Sequence, residues 1–130
     1  MGHYMDIQFE AHLNDLGMKL ITDLYDTKSW LEVCKLNNTL HPSILAGVND
    51  DLNVIPFSGP ANKKSKPSSF DPELRIWTVN NSFKWKFSVD DVIARILENI
   101  ISEPVQVSVY HDLWDNEKHM NIVPNNKWNE

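Results

Sequence analysis

The residues best equipped for chemistry gather in one stretch, HDLWDNEKH, where His111, Asp112, Asp115, Glu117 and His119 surround Trp114. Imidazole titrates near neutrality, and a neighbouring carboxylate can orient it or take its proton, so this mixture can serve acid–base catalysis. The same side chains can ligate a metal, but the chain has no HxxxH, HExxH or CxxC spacing, and neither a metal nor any other cofactor is expected. A third use is recognition, because an aromatic ring among acids can anchor a basic partner. The plainest reading of these residues is the solvated tip of a hairpin. Asp112, Trp114, Asp115 and Glu117 fit a binding loop better than a catalytic centre, so no catalytic residue is assigned. An enzyme alternative stays open: a small hydrolase or nuclease using His111 and His119 with Asp112. Asp50 and Asp51 form a second acidic pair, without the ligand spacing of a calcium loop.

Nucleophile and phosphate chemistry find little support. Cys34, the lone cysteine, falls on an apolar helical face and reads as a packed thiol. None of Ser29, Ser43, Ser58 or Ser88 lies in a GxSxG turn. The four glycines are far apart, so no glycine-rich loop can cradle phosphate. Arg75, Trp77, Lys84 and Lys86 make one further cluster. An aromatic among cations on a sheet surface suits single-stranded nucleic acid, which would make the chain a nucleic-acid-binding or phage-type regulatory module. The net charge of −6 opposes phosphate binding, and Trp77 can equally be covered by another element with the cations reaching around it.

The elements that must position these residues are best specified between Leu74 and Tyr110. Asn80-Asn81 separates two runs of aromatic and β-branched residues, and Asn tolerates the positive φ of a two-residue turn. A hairpin over 74–87 is expected, with Leu74, Ile76, Thr78, Phe83, Trp85 and Phe87 on its inner side. Ser88 then caps a core helix over 88–102, with Asp90 and Asp91 in its first turn and Phe87 and Val92 at staple spacing. Val89, Val92, Ile93, Ile96, Leu97 and Ile100 form its apolar stripe, while Asp91, Arg95, Glu98 and Asn99 face out. Pro104 ends the helix, and Val105, Val107 and Val109 alternate with polar residues as a strand over 105–110.

Upstream, Met5 to Leu13 alternates as a strand with one wet face, closed by turn residues Asn14 to Gly17. A further helix is expected within 18–36: MKLITDLYD fits a helix or a hairpin strand, and Trp30, Leu31, Val33 and Cys34 suggest a short helix entered from Asp26 or Thr27, so one helix, two, or a strand and a helix stay open. Residues 37–70 read as a long irregular connection with a short strand at Leu52–Ile55 and a flexible loop over 58–69. His119 to Val123 forms a last strand, and 124–130 a loose tail. The fold class is α+β, a single domain over 1–130 with a mostly antiparallel sheet.

Composition bounds the rest. At 130 residues the chain can build one core, and no apolar run is long enough to span a bilayer. A single cysteine and the absence of a signal-peptide profile lead to a cytoplasmic expectation. In general character the chain resembles the immunity proteins that bacteria encode beside polymorphic toxins, such as those of contact-dependent inhibition. The likeness covers the whole chain and rests on character: small size, acidity, exposed aromatics among carboxylates, and a vocabulary rich in Asn, Lys and Ile. It implies a stoichiometric inhibitor that covers the active site of a basic toxin domain, often a nuclease. Asp112, Trp114, Asp115 and Glu117 are then the partner surface, with Asp50 and Asp51 second. Nucleic acid and membrane are not expected as partners.

Overall fold

Alternation alone builds the central strand. Met5, Ile7, Phe9 and Ala11 are buried while their neighbours are not, so β1 (Tyr4–His12) turns one apolar face to a helical layer and the other outward. The computed structural model describes residues 3–85, 89–112 and 117–125. Among them are four helices and one five-stranded antiparallel sheet of order β2-β3-β1-β4-β5, a single small α+β domain. The other strands are β2 (Ser69–Asp71), β3 (Ile76–Lys84), β4 (Val105–His111) and β5 (Lys118–Ile122).

β3 and β4 each pair antiparallel with β1, so they run parallel to one another with β1 inserted between them. A helix, here numbered α4 (Val89–Ile100), lies between them in sequence, giving a split βαβ arrangement. Its stripe of Val89, Val92, Ile93, Ile96, Leu97 and Ile100 is buried as the periodicity predicts. Asn99 is also buried, contrary to expectation, with its Nδ2 donating to the Arg95 carbonyl at 2.8 Å. Ser88 and Phe87, the expected cap and staple, lie outside the described residues.

The expected hairpin over 74–87 is not formed. β3 runs straight through Asn80-Asn81 and pairs along its whole length with β1, Asn81 facing Ile7 and Asn80 facing Gln8. The buried set is therefore Trp77, Val79, Asn81 and Phe83, so along Ile76 to Val79 the inner and outer faces are exchanged relative to the hairpin reading. The physical reason is Asn81 itself. It is fully buried and donates from Nδ2 to the Pro56 carbonyl at 3.0 Å, so its amide satisfies a buried backbone acceptor. A residue type that favours turns here serves the core.

The helical layer opens with α1 (Asp15–Thr27) and α2 (Trp30–Leu36). The residues expected to turn at Asn14–Gly17 are instead the cap and first turn of α1, with Asn14 Oδ1 accepting from Gly17 N–H at 2.8 Å. Of the alternatives open within 18–36, two helices form, because Lys28 takes a left-handed conformation (φ 57°) and Ser29 caps α2. Leu52–Ile55, expected as strand, is helical: a 3-10 turn (Asp50–Asn53) leads into α3 (Val54–Phe57), a distorted turn with a cis Ile55–Pro56 bond. Trp30 and Trp77, both fully buried, anchor this layer to the sheet, and Trp30 Nε1 donates to the Ile55 carbonyl at 2.8 Å. The 58–69 loop crosses the far side of β3. It is tied there by Ser82 N–H to the Gly59 carbonyl (2.8 Å) and Asn80 Nδ2 to the Lys66 carbonyl (2.9 Å). Of the tail over 124–130, only Pro124 and Asn125 lie within the described residues. No helix among the described residues is long and apolar enough to cross a membrane.

Candidate functional site

β4 ends at His111, and Asp112 follows just past the strand. His111, the last residue of β4, points inward and is 6% exposed, beside the ring of Trp85 at 6.1 Å and that of His3 at 5.9 Å. Asp112 is exposed and held in place: Oδ2 accepts from Tyr4 N–H at 3.1 Å, and Oδ1 lies 3.4 Å from His3 Nδ1 and 3.5 Å from His111 Nδ1. Its own N–H donates to the Tyr4 carbonyl at 3.2 Å. The start of β1 thereby fixes a carboxylate at the end of β4. Trp114 and Asp115 lie outside the described residues.

His119 occupies the outward face of β5, opposite Ser108. Its Nδ1 is 3.2 Å from Ser108 Oγ and its Nε2 3.5 Å from Glu117 Oε2. The two histidines thus face opposite sides of the sheet, and the centre combining His111 with His119 is not assembled. A hydroxyl, an imidazole and a carboxylate in sequence is the order of a hydrolytic relay. Here the His and Glu side chains are each about half exposed, and Ser108 is flanked by paired strands on both sides. The nearby backbone N–H groups belong to those ladders rather than to an oxyanion hole. Among the described residues no group of three or more His, Cys, Asp or Glu is arranged to hold a metal ion.

Asp50 and Asp51 start the 3-10 turn, where Asn49 Oδ1 accepts from Asp51 N–H at 2.8 Å. This turn packs against α4, and Asp51 shares a cleft with Val89. The two acidic groups singled out in the sequence thus sit on different parts of the fold, Asp50 and Asp51 in the helical layer beside α4 and Asp112 just past β4, where β1 begins. There β5 also begins, and β3 and β4 finish.

The basic aromatic face does not exist as a platform. Trp77 is 0% exposed, packs edge-on against Phe9 and donates from Nε1 to Tyr25 Oη at 3.3 Å. Arg75 sits in a left-handed turn (φ 58°) and pairs with Asp15. Lys84 is on an outward strand end, and Lys86 lies outside the described residues. Burial raises the Cys34 thiol above its ordinary pKa, as befits a packed rather than an activated sulfur.

Sequence reasoning missed the open face of the sheet. Among the described residues no helix covers the side bearing Tyr4, Asp6, Gln8 and Glu10. Tyr4 is 52% exposed and Tyr110 40%, and Tyr110 stands directly across from Asp6. Farther along, Gln8, Thr78, Asn80, Gln106 and Ser108 line a shallow cleft of about 340 Å³. The alternation of β1 already marked these positions as wet; only register could show that β4 adds Tyr110 beside them. The chain matches no family model, no curated protein and no solved structure.

Proposed function

We propose that the chain is a non-catalytic protein-binding domain that takes a basic partner on an acidic surface, and that it acts as an immunity protein covering the active site of a cognate toxin. One observation carries the reading. Two carboxylates from separate parts of the sequence stand beside two exposed tyrosines, Asp6 across from Tyr110 and Asp112 fixed by Tyr4 N–H. Tyrosine supplies large contact area at low entropic cost, and acids beside it steer a cationic partner into register. Asp112 and Glu117 form the centre of the surface, with Trp114 and Asp115 in the same loop. Asp6, Tyr4 and Tyr110 complete it, and Asp50 and Asp51 make a second acidic surface beside α4. The preferred partner is a basic toxin domain such as a nuclease, met in the cytoplasm.

The test is association with the protein encoded by the neighbouring gene. Nanomolar binding is expected, with an on-rate that falls steeply with salt and drops about tenfold in the Asp112→Lys, Asp50→Lys double variant. Binding that ignores salt and both substitutions would refute the reading. The Ser108–His119–Glu117 array favours one second reading, a small hydrolase. Turnover of an ester or phosphodiester that disappears in both Ser108→Ala and His119→Ala would establish it instead.

A further inference from the structure

A cleft of about 280 Å³ opens between α4 and the loop leading into the 3-10 turn, lined by Gly47, Asn49, Asp51, Leu52, Val89, Val92 and Arg95. Its apolar wall is short and aliphatic, made by Leu52, Val89 and Val92. Its polar wall holds an oddity. Arg95 Nε is buried without a hydrogen-bond acceptor, and among the described residues the guanidinium has no carboxylate within ion-pair distance. Burying a donor unmet costs about 1–3 kcal/mol, more when it is charged, so such a group calls for an acceptor from outside.

The surroundings hold it in place. Gly47 has φ +80°, and a Cβ added there would lie 3.5 Å from an Arg95 terminal nitrogen and 3.4 Å from Val92 Cγ2. The loop thus passes within ordinary contact distance of the guanidinium, and its left-handed turn at position 47 favours glycine. Asn49 has its Oδ1 committed to Asp51 N–H, which leaves its amide nitrogen as a second donor on the cleft.

We infer that this cleft binds a short aliphatic monocarboxylate, its carboxylate on Arg95 and Asn49 and its branched end on Leu52, Val89 and Val92. A planar guanidinium pairs with carboxylate through parallel N–H donors. The cleft offers one cationic group above a short aliphatic wall, which suits a single carboxylate better than phosphate or a dicarboxylate. The carboxylate can come from a free small acid or from the C-terminal residue of a peptide, since both present the same chemistry.

Isovalerate, N-acetylleucine, isovaleramide and inorganic phosphate are the probes, followed by thermal shift and by amide chemical-shift mapping on the whole chain. Saturable stabilisation by isovalerate, or tighter binding by N-acetylleucine, is expected, with shifts clustered at residues 47–52 and 89–95; the stronger of the two identifies the source. Arg95→Gln should weaken binding about tenfold or more, and Val92→Phe should abolish it by filling the cleft while keeping the cation. Equal binding of isovaleramide or phosphate, unchanged affinity in Arg95→Gln, or shifts confined to other surfaces would overturn the inference. If either variant fails to fold, the comparison of acid with amide on the wild-type chain decides it alone.

Discussion

Gly17→Ala sets two physical effects of opposite sign against each other. In an isolated helix, alanine is favoured over glycine by about 1 kcal/mol, so α1 on its own would gain. In the folded domain Gly17 is buried against the last turn of α4. A Cβ there would fall well inside contact distance of the Ile100 carbonyl oxygen and within 3.1 Å of both Ile100 Cβ and Leu13 Cβ. The oxygen cannot move aside, because it belongs to backbone and accepts from Asn14 N–H at 2.9 Å. Relief therefore means lifting the start of α1 off α4, which breaks that bond and strains the Leu13–Ile101 bridge next to it. Overpacking costs about 1–3 kcal/mol and the lost bond about 1 more. Even after the propensity gain, a net loss of about 1–3 kcal/mol is expected. Urea denaturation of the two proteins measures it as a lower midpoint at unchanged slope. Equal or higher stability in Gly17→Ala would refute the close approach of the two helices.

Other substitutions test the remaining links. Trp77→Ala should cost about 3–5 kcal/mol in chemical denaturation, since the ring is fully buried; a folded, equally stable variant would restore the exposed-platform reading. Asp23 offers a pH dependence. Burial acts to raise its carboxyl, but hydrogen bonds from Asn37 and Lys19 and the Lys19 charge outweigh this and hold the pKa below its ordinary 3.8. A depressed folded-state pKa means stability fully present above about pH 4 and lost as pH falls through the lowered value. Acid titration of stability should therefore be shallower below pH 4 in Asp23→Asn than in the wild type, and identical curves would count against the arrangement. Asp112→Lys should slow association with a basic partner while shifting thermal stability little, because the carboxylate is exposed; a collapsed fold would instead make Asp112 a structural residue.

How much was legible depended on whether local signals had one structural meaning. The helix stripe from Val89 to Ile100 did, since six aliphatic side chains at helical spacing have no other arrangement that buries them all. So did the alternation of β1 and β4. Asn80-Asn81 had two meanings. The turn reading used only residues near in sequence, whereas the buried amide of Asn81 is explained by the Pro56 carbonyl, far along the chain and brought close by α3. Once that pair is made, β3 becomes one long strand and Trp77 turns inward. The basic face then disappears because its members depended on the wrong register. Within 18–36 a second short helix was legible but the break was not: Lys28 adopts a left-handed conformation that residue type does not announce.

The candidate site divides along the same line. The sequence by itself determined the strand alternation, the core helix, the acidity and the absence of recognised catalytic motifs, because these depend on residue type and local period. It also placed carboxylates at Asp50, Asp51 and Asp112. Only the tertiary structure decided that Asp50 and Asp51 sit beside α4 and Asp112 beside the start of β1, that His111 and His119 face opposite ways, and that Arg95 lines a cleft with no ion-pair partner among the described residues. Those facts depend on strand order and register. Such pairings join residues distant in sequence, and no single segment carries enough information to choose them.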